Sequence, residues 1–399
     1  MKLLYLALCL TAAVSLHAQV RVKAPLKSED YIIRNGGLDN VWYRMQKDKE
    51  AHVVFLGGSI TNMSGWRDLV CKYLKDTYRG TKFTFLNAGI PSLGSVPHAF
   101  RFQRDVIEKG PVDLLFVESA VNDRGNGYTE AQQRRALEGI VRHMLAVNPN
   151  ANIVLMAFTD PDKMADYHAG KIPVEVQVHA AIAKKYGLPF INLAKEITDR
   201  IDAKEFTWKD DFKDLHPSPF GQQLYFNSIK QLLDGEFKKP VPEFIETVMQ
   251  QRSPEDPFNY EEGYYADIHD ATHLQHFTIN ESWQPADSTP TRRGFVNVPV
   301  LVSDTTGTAS LDFPFTGRTI GIAVLSGPDA GFIKYSIDGG IEQEIDLHTQ
   351  WSGSLYLPWY LILGDELSRE SHNLRLQTGG PHPGNTKNVC RIVYFLVNK

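Results

Sequence analysis

With three cysteines in 399 residues, Cys9, Cys71 and Cys390, the sequence is far from a disulfide framework. Cys71 falls inside a helical pattern and Cys390 beside a strand, so two separate buried thiols are expected rather than a bridge. Long Lys/Arg blocks are also missing, and a formal charge of -5 leaves no basic surplus to neutralise phosphates, which removes nucleic acid from the expected partners. His52, His98, His143, His168 and His179 are scattered without the spacing of metal ligands, so no metal and no cofactor is expected. There is no internal repeat and no low-complexity tract. The one conspicuous apolar run, Leu3 to Leu16, is shorter than the roughly 20 residues that span a bilayer. Preceded by Met1-Lys2 and followed by His17-Ala18-Gln19, it has the charged start, apolar centre and small cleavage residue of a secretory signal peptide. We expect residues 1–18 to be removed and the mature protein to be secreted or periplasmic, without membrane insertion.

Hydrophobic residues make up 42% of the chain, and its length exceeds what a single core usually serves, so two domains are expected. From His52 to Leu193 short apolar runs alternate with longer stretches of 3.6-residue period, the pattern of a parallel sheet covered by helices on both faces. Strands are expected at His52–Leu56, Lys82–Leu86, Leu114–Val117, Ile153–Ala157 and Phe190–Asn192, each unbroken by charge as buried parallel strands should be. Helical spacing marks Trp66–Tyr78, Pro97–Lys109, Thr129–Asn148, Val174–Tyr186 and Pro219–Leu233. This α/β domain is placed at 19–240, and the proline-bracketed stretch 241–260 is read as a linker. Beyond it, at 261–399, the period changes to two. Ala309, Leu311, Phe313 and Phe315 alternate with other residues, as do Ile320, Ile322 and Val324, which predicts an all-β sandwich of the jelly-roll type.

Four segments of the first domain carry chemistry. Val53-Val54-Phe55-Leu56 ends in Gly57-Gly58-Ser59-Ile60-Thr61, which puts a serine at the C-terminal edge of the sheet, where open α/β folds build their sites. Such a turn also serves as an ordinary helix N-cap. Asn87-Ala88-Gly89 follows the second strand and Glu118-Ser119-Ala120-Val121-Asn122 the third, so both loops open on the edge that carries Ser59. A backbone N–H at Gly89 and the Asn122 amide could serve as donors to an oxyanion, or as a turn and a cap. Last comes Asp211-Phe212-Lys213-Asp214-Leu215-His216-Pro217, before the final helix. Serine first and histidine last is an order compatible with a Ser-His-Asp triad. Glu118 ends an apolar run and needs a partner, for which Arg124 is near in sequence; a catalytic role is the alternative.

These four blocks, in this order and approximate spacing between Ala51 and Leu233, resemble the SGNH (GDSL-type) hydrolases, in particular an exported bacterial branch with Gly-Gly-Ser-Ile for Gly-Asp-Ser-Leu. The resemblance implies a flavodoxin-like five-stranded parallel sheet, a serine esterase activity, Ser59 as nucleophile, His216 as general base, and Ser59, Gly89 and Asn122 as oxyanion donors. It departs from the family at the acid. The family's Asp three residues before the histidine is here Lys213, so Asp214, Asp211 or a backbone carbonyl must orient His216, and Asp214 offers the shorter path.

No continuous apolar lid of the lipase kind is present. The site loops offer Trp208, Tyr128 and Tyr167 with Lys163, Arg124 and Lys209, aromatic faces and polar groups that suit sugars. The β module adds Trp283, Trp351 and Trp359, and its Gly327–Gly331 segment looks like the accessory domain of exported esterases acting on acetylated polysaccharides. An O-acetyl esterase acting on a glycan or small ester is therefore expected. A lipid or thioester acylhydrolase and an inactive glycan-binding protein are the alternatives. The sandwich is expected to pack beside the mouth of the site.

Overall fold

The computed structural model describes residues 25–245 and 253–399. The expected signal peptide lies outside the described residues, as does part of the expected linker. In the first domain, β1 (Ile32–Arg34), β2 (Glu50–Gly57), β3 (Lys82–Gly89), β4 (Leu114–Glu118), β5 (Asn152–Met156) and β6 (Pro189–Ile191) form one sheet in the order β1-β6-β5-β4-β2-β3. Strands β2 to β6 are the five parallel strands the sequence predicts, in flavodoxin-like order. The sheet nevertheless has six strands, because β1 joins β6 antiparallel at the edge. Of its three residues only Ile32 is buried, so β1 leaves no apolar run in the sequence, whereas β6, equally short, is buried throughout.

Alternate residues of the central strands divide between two cores. Val54, Leu56, Leu115, Val117, Ile153 and Leu155 pack under the helices Ser95–Asp105, Glu130–Val147 and Val174–Tyr186. Val53, Phe55, Leu114, Phe116, Val154 and Met156 pack under Trp66–Thr77 and Pro219–Glu236. On that second face Phe55 stacks on Phe116 with centroids 5.4 Å apart, and Trp66 meets Phe55 edge-on at 5.4 Å. Strands buried on both faces have no polar side to show, which is why they read as continuous apolar runs.

The second domain is a two-sheet sandwich. One sheet runs β15 (Leu357–Gly364), β12 (Thr319–Ser326), β17 (Arg391–Asn398), β10 (Val298–Ser303), β9 (Phe277–Trp283), with β7 (Gly263–Ala266) paired to β17. The other runs β14 (Gln343–Asp346), β13 (Gly331–Ile337), β16 (Ser371–Pro381), β11 (Ser310–Thr316), β8 (Thr272–Gln275). Leu311, Phe313 and Phe315 face Ile322, Val324 and Phe395 across the core, as their alternation predicts. Strand β12 departs from simple alternation because all eight of its residues are buried. Its outer face lies on the first domain, where Ala323, Tyr360 and Leu396 join the α/β core.

The two domains are tied together at this face. The Arg104 guanidinium lies over Tyr265 and Tyr394, at 4.7 and 4.9 Å from the ring centroids, and donates to the Tyr394 hydroxyl at 2.6 Å. Arg135 pairs with Asp256, Asp365 and Glu366. The stretch read as linker is not a free tether from residue 253 onward. Tyr260 is fully buried, its N–H donates to Arg135 O at 3.0 Å, and its hydroxyl donates to Asp365 at 2.8 Å. Cys71 and Cys390 are free thiols in different domains. Among the described residues, no helix is long and apolar enough to cross a membrane.

Gly139 lets this junction close, since a Cβ there would sit 2.5 Å from the Tyr260 carbonyl carbon. In an exposed helix, Gly→Ala stabilises by about 1 kcal/mol. Here Gly139→Ala is expected to lower the melting temperature in thermal unfolding, the sign set by the domain contact and not by helix propensity.

Candidate active site

Ser59 sits at the turn where β2 runs out, as the first residue of the short helix Ser59–Asn62. The chain turns there against Asn122: a Cβ at Gly58 would lie 2.2 Å from Asn122 Nδ2. Asn122 is itself in the helix Ala120–Gly125 that follows β4, and its Nδ2 donates to Leu93 O at 3.1 Å. The two blocks thus lie side by side, at a position where any side chain would displace the Asn122 amide.

His216 approaches from the loop before the last helix. Phe212 is fully buried and stacks on Trp208 at 4.9 Å, while Ser218 caps the helix Pro219–Glu236 by accepting from Gly221 N–H at 3.3 Å. Between these anchors the loop presents the exposed His216 ring, whose Nε2 lies 2.8 Å from Ser59 Oγ. The candidate acids stand differently. Asp211 is committed elsewhere, accepting from Thr207 N–H at 2.8 Å and from its hydroxyl at 3.1 Å. Asp214 accepts from the His216 backbone N–H at 2.6 Å, and the same Oδ1 is 3.7 Å from Nδ1, close enough for an ion pair but beyond hydrogen-bond length.

Gly89, expected as an oxyanion donor, does not point into the site. Its N–H donates to Asn87 Oδ1 at 2.9 Å, and the loop reaches the cleft only at Pro91 and Ser92. Ser92 has φ 71°, a left-handed conformation that costs a side-chain-bearing residue about 1–3 kcal/mol. Nothing in its sequence context signals this position.

Ser59 and His216 open into a cleft of about 700 Å³ with walls from both domains. One wall carries Asn62, Ser92, Asn122, Arg124 and Asp162; the other carries Arg292, Gln350, Trp351, Leu355 and Leu357 from the sandwich. Among the side chains expected to flank the site, Arg124 does line it, but Tyr128 is buried, Tyr167 bonds Asn192 at 3.2 Å, Lys163 is buried against Asp160, and Trp208 is spent on Phe212. The aromatic wall comes instead from Trp351, 39% exposed, on a turn pinned by buried Ser352 accepting from Thr349 N–H at 2.8 Å. Trp283 is buried against Tyr356. Among the described residues, no cluster of His, Cys, Asp or Glu could hold a metal.

Beneath the site lies a buried polar layer. Glu118 does not pair with Arg124, which binds Asp166 and Glu175. Glu118 accepts instead from Val121 N–H at 3.2 Å and Phe158 N–H at 3.3 Å, and burial pushes its carboxyl up to about 7, opposed in part by Lys163. Burial also raises Asp123 to about 7, against hydrogen bonds from Ser95 N–H at 2.6 Å and Oγ at 3.0 Å. His98, with Nδ1 2.9 Å from Ser119 Oγ, is held well below its ordinary value by burial, and so is His179, at about 4.

A serine within hydrogen-bond reach of a histidine at the C-terminal edge of a parallel sheet, with an amide beside it, is the arrangement of an α/β ester hydrolase. Residues 55–224 match the GDSL-like Lipase/Acylhydrolase family, also termed SGNH hydrolases. The fold of the whole chain is similar to that of a two-domain esterase (CEX) active on acetylated mannans, with 21% identity, a TM-score of 0.77, and 94% of this chain and 98% of that chain covered. It is also similar to a second structure of that esterase, co-crystallized with mannopentaose: 20% identity, TM-score 0.73, 94% and 99% covered. No curated protein matches the sequence.

The raised carboxyls give the site a pH signature. A carboxyl whose folded pKa lies above its unfolded one adds stability that is complete below the unfolded pKa, near 4, and lost as pH rises through about 7. His98 and His179, held neutral, act in the opposite sense. The comparison with Glu118→Gln isolates the carboxyl: relative to that variant, the wild-type melting temperature should decline between pH 5 and pH 7.5, and parallel pH profiles for the two would refute the assignment.

Proposed function

We propose that the protein is an exported carbohydrate esterase that removes O-acetyl groups from a polysaccharide or its oligosaccharides, with Ser59 as nucleophile and His216 as base. The observation that carries this reading is the 2.8 Å contact of His216 Nε2 with Ser59 Oγ at the floor of a cleft walled by both domains. His216 Nε2 takes the serine proton as Oγ attacks the acetyl carbonyl. The developing oxyanion is met by the Ser59 N–H and the Asn122 amide. His216 then protonates the departing sugar hydroxyl, and the acetyl-enzyme is hydrolysed by water activated in the same way. The acid enters through Asp214, which shapes the histidine loop by binding the His216 backbone N–H.

The substrate assignment rests on the cleft's mixed walls, with Trp351 opposite Asn62, Arg124 and Asp162, a pairing of an aromatic face with polar groups that suits a sugar ring. The activity of the similar two-domain esterase on acetylated mannans supports the same chemistry, and mannan is the first glycan to assay. Export rests on the apolar run Leu3 to Leu16.

Ser59→Ala and His216→Ala should each abolish hydrolysis of a chromogenic acetyl ester, by several powers of ten, with thermal unfolding unchanged. Asp211→Asn should leave turnover near wild type. Asp214→Asn retains an acceptor for the His216 N–H and should cost far less than the roughly 10⁴-fold of an acid bonded directly to its histidine. Steady-state kinetics of the four variants decide these points, and a preference for long-chain over acetyl esters would displace the carbohydrate reading.

Trp351→Ala should raise KM on acetylated oligosaccharides while leaving kinetics on a small acetyl ester unchanged, because only the larger substrate reaches the sandwich wall. Equal effects on both would remove Trp351 from sugar binding.

A further inference from the structure

Ser92 is held in its left-handed conformation, φ 71°, from two directions. Asn126 Nδ2 donates to its carbonyl at 3.1 Å, and Arg292 donates to its hydroxyl from Nη2 at 2.9 Å and from Nε at 3.3 Å. The residue that follows, Leu93, offers the carbonyl on which the Asn122 amide is braced at 3.1 Å. Asn122 thus takes its orientation from a turn whose conformation is unfavourable for a serine and is fixed by side chains around it.

Arg292 belongs to the sandwich and is unusual among the arginines of the cleft. Arg124 is neutralised by Asp166 and Glu175. Arg292, half-buried, has no carboxylate within ion-pair distance among the described residues, and burial alone draws its pKa down. Its base is rigid: Thr291 Oγ1 donates to Tyr356 O at 2.8 Å and Tyr356 N–H donates to Pro290 O at 2.9 Å, fixing the segment to the start of β15. A partly desolvated cation with no counter-charge, on a fixed base and spent on one hydroxyl, is costly for a mere domain tie.

We propose that Arg292 is a positioning residue for the esterase reaction, by which the sandwich holds the Ser92-Leu93 turn and through it the Asn122 amide that meets the oxyanion. This rests on the proposed function of the site. It makes transition-state stabilisation in the first domain dependent on a side chain of the second.

The test uses the full chain and a small acetyl ester such as 4-nitrophenyl acetate, comparing Arg292→Gln, Arg292→Lys, Ser92→Gly and the double variant Ser92→Gly/Arg292→Gln, with thermal unfolding of each. Arg292→Gln should lower kcat by at least about tenfold, short of the 10²–10³ of losing a donor outright, with KM changed less than about twofold. Arg292→Lys should recover part of that loss. In the Ser92→Gly background, where glycine adopts the turn unaided and offers no hydroxyl, Arg292→Gln should have no further effect on kcat. Unchanged kcat in Arg292→Gln, or multiplicative losses in the double variant, would overturn the positioning role while leaving the esterase reading intact. Absence of ester hydrolysis by the wild type would overturn both.

Discussion

A sheet whose inner face is covered by its partner still has an outer face to satisfy, and the cleft of this protein exists because of where that face is satisfied. The sheet containing β12, β15 and β17 turns Ala323, Tyr360 and Leu396 onto the first domain, and the helix Ser95–Asp105 receives it. Arg104, stacked over Tyr265 and Tyr394, fixes the approach from one side, and the Arg135 cluster fixes it from the other. Once that contact is made, the turn carrying Trp351 and the segment carrying Arg292 have no freedom to sit elsewhere than across from Ser59. The sandwich is therefore a wall of the site as well as a neighbour of it.

The parts legible in the sequence are those set by burial and by backbone geometry. Strands β2, β4 and β5 are apolar on both faces and announce themselves as runs, and the Gly57-Gly58-Ser59 turn and the His216-Pro217 loop sit where such strands end. Short elements that are only partly buried stay hidden. The three residues of β1 and the helix Ala120–Gly125 are specified by what they dock against, with no periodicity of their own. The helices Pro161–His168 and Leu193–Asp202 are capped by Asp160 and Asn192, a signal that was present in the sequence and that attention to apolar spacing passes over. Gly89 shows a different limit: a glycine in the right loop can be there for the strand's close packing while the cleft is met two residues later. The wall residues Arg292 and Trp351 depend on domain docking, which no local pattern encodes.

Below the turn that carries Ser59, the first domain buries Glu118, Ser119, Asp123, His98 and Arg101 together. Apolar residues could fill that space at less cost in desolvation. Their hydrogen bonds instead fix loop ends: Glu118 binds the N–H groups of Val121 and Phe158, Asp123 the N–H of Ser95, and Arg101 the carbonyl of Ala88 at 2.6 Å. Each of these partners is at the end of a strand or the beginning of a helix on the edge that carries Ser59. The polar layer spends stability on directing the backbone where the sheet's own ladder of hydrogen bonds has ended.

The two-sided cleft also divides labour along the chain. Ser59 and His216 lie on one folding unit, braced by β2, β4 and the helix Pro219–Glu236, whereas the aromatic wall lies on a single turn of the other, pinned by Ser352 and Thr349. Changes of length or residue type in that turn can reshape the cleft without disturbing the bonds that orient Ser59 and His216. That wall is a replaceable surface, carried by a β module whose own core, centred on Phe313 and Phe395, is built without it.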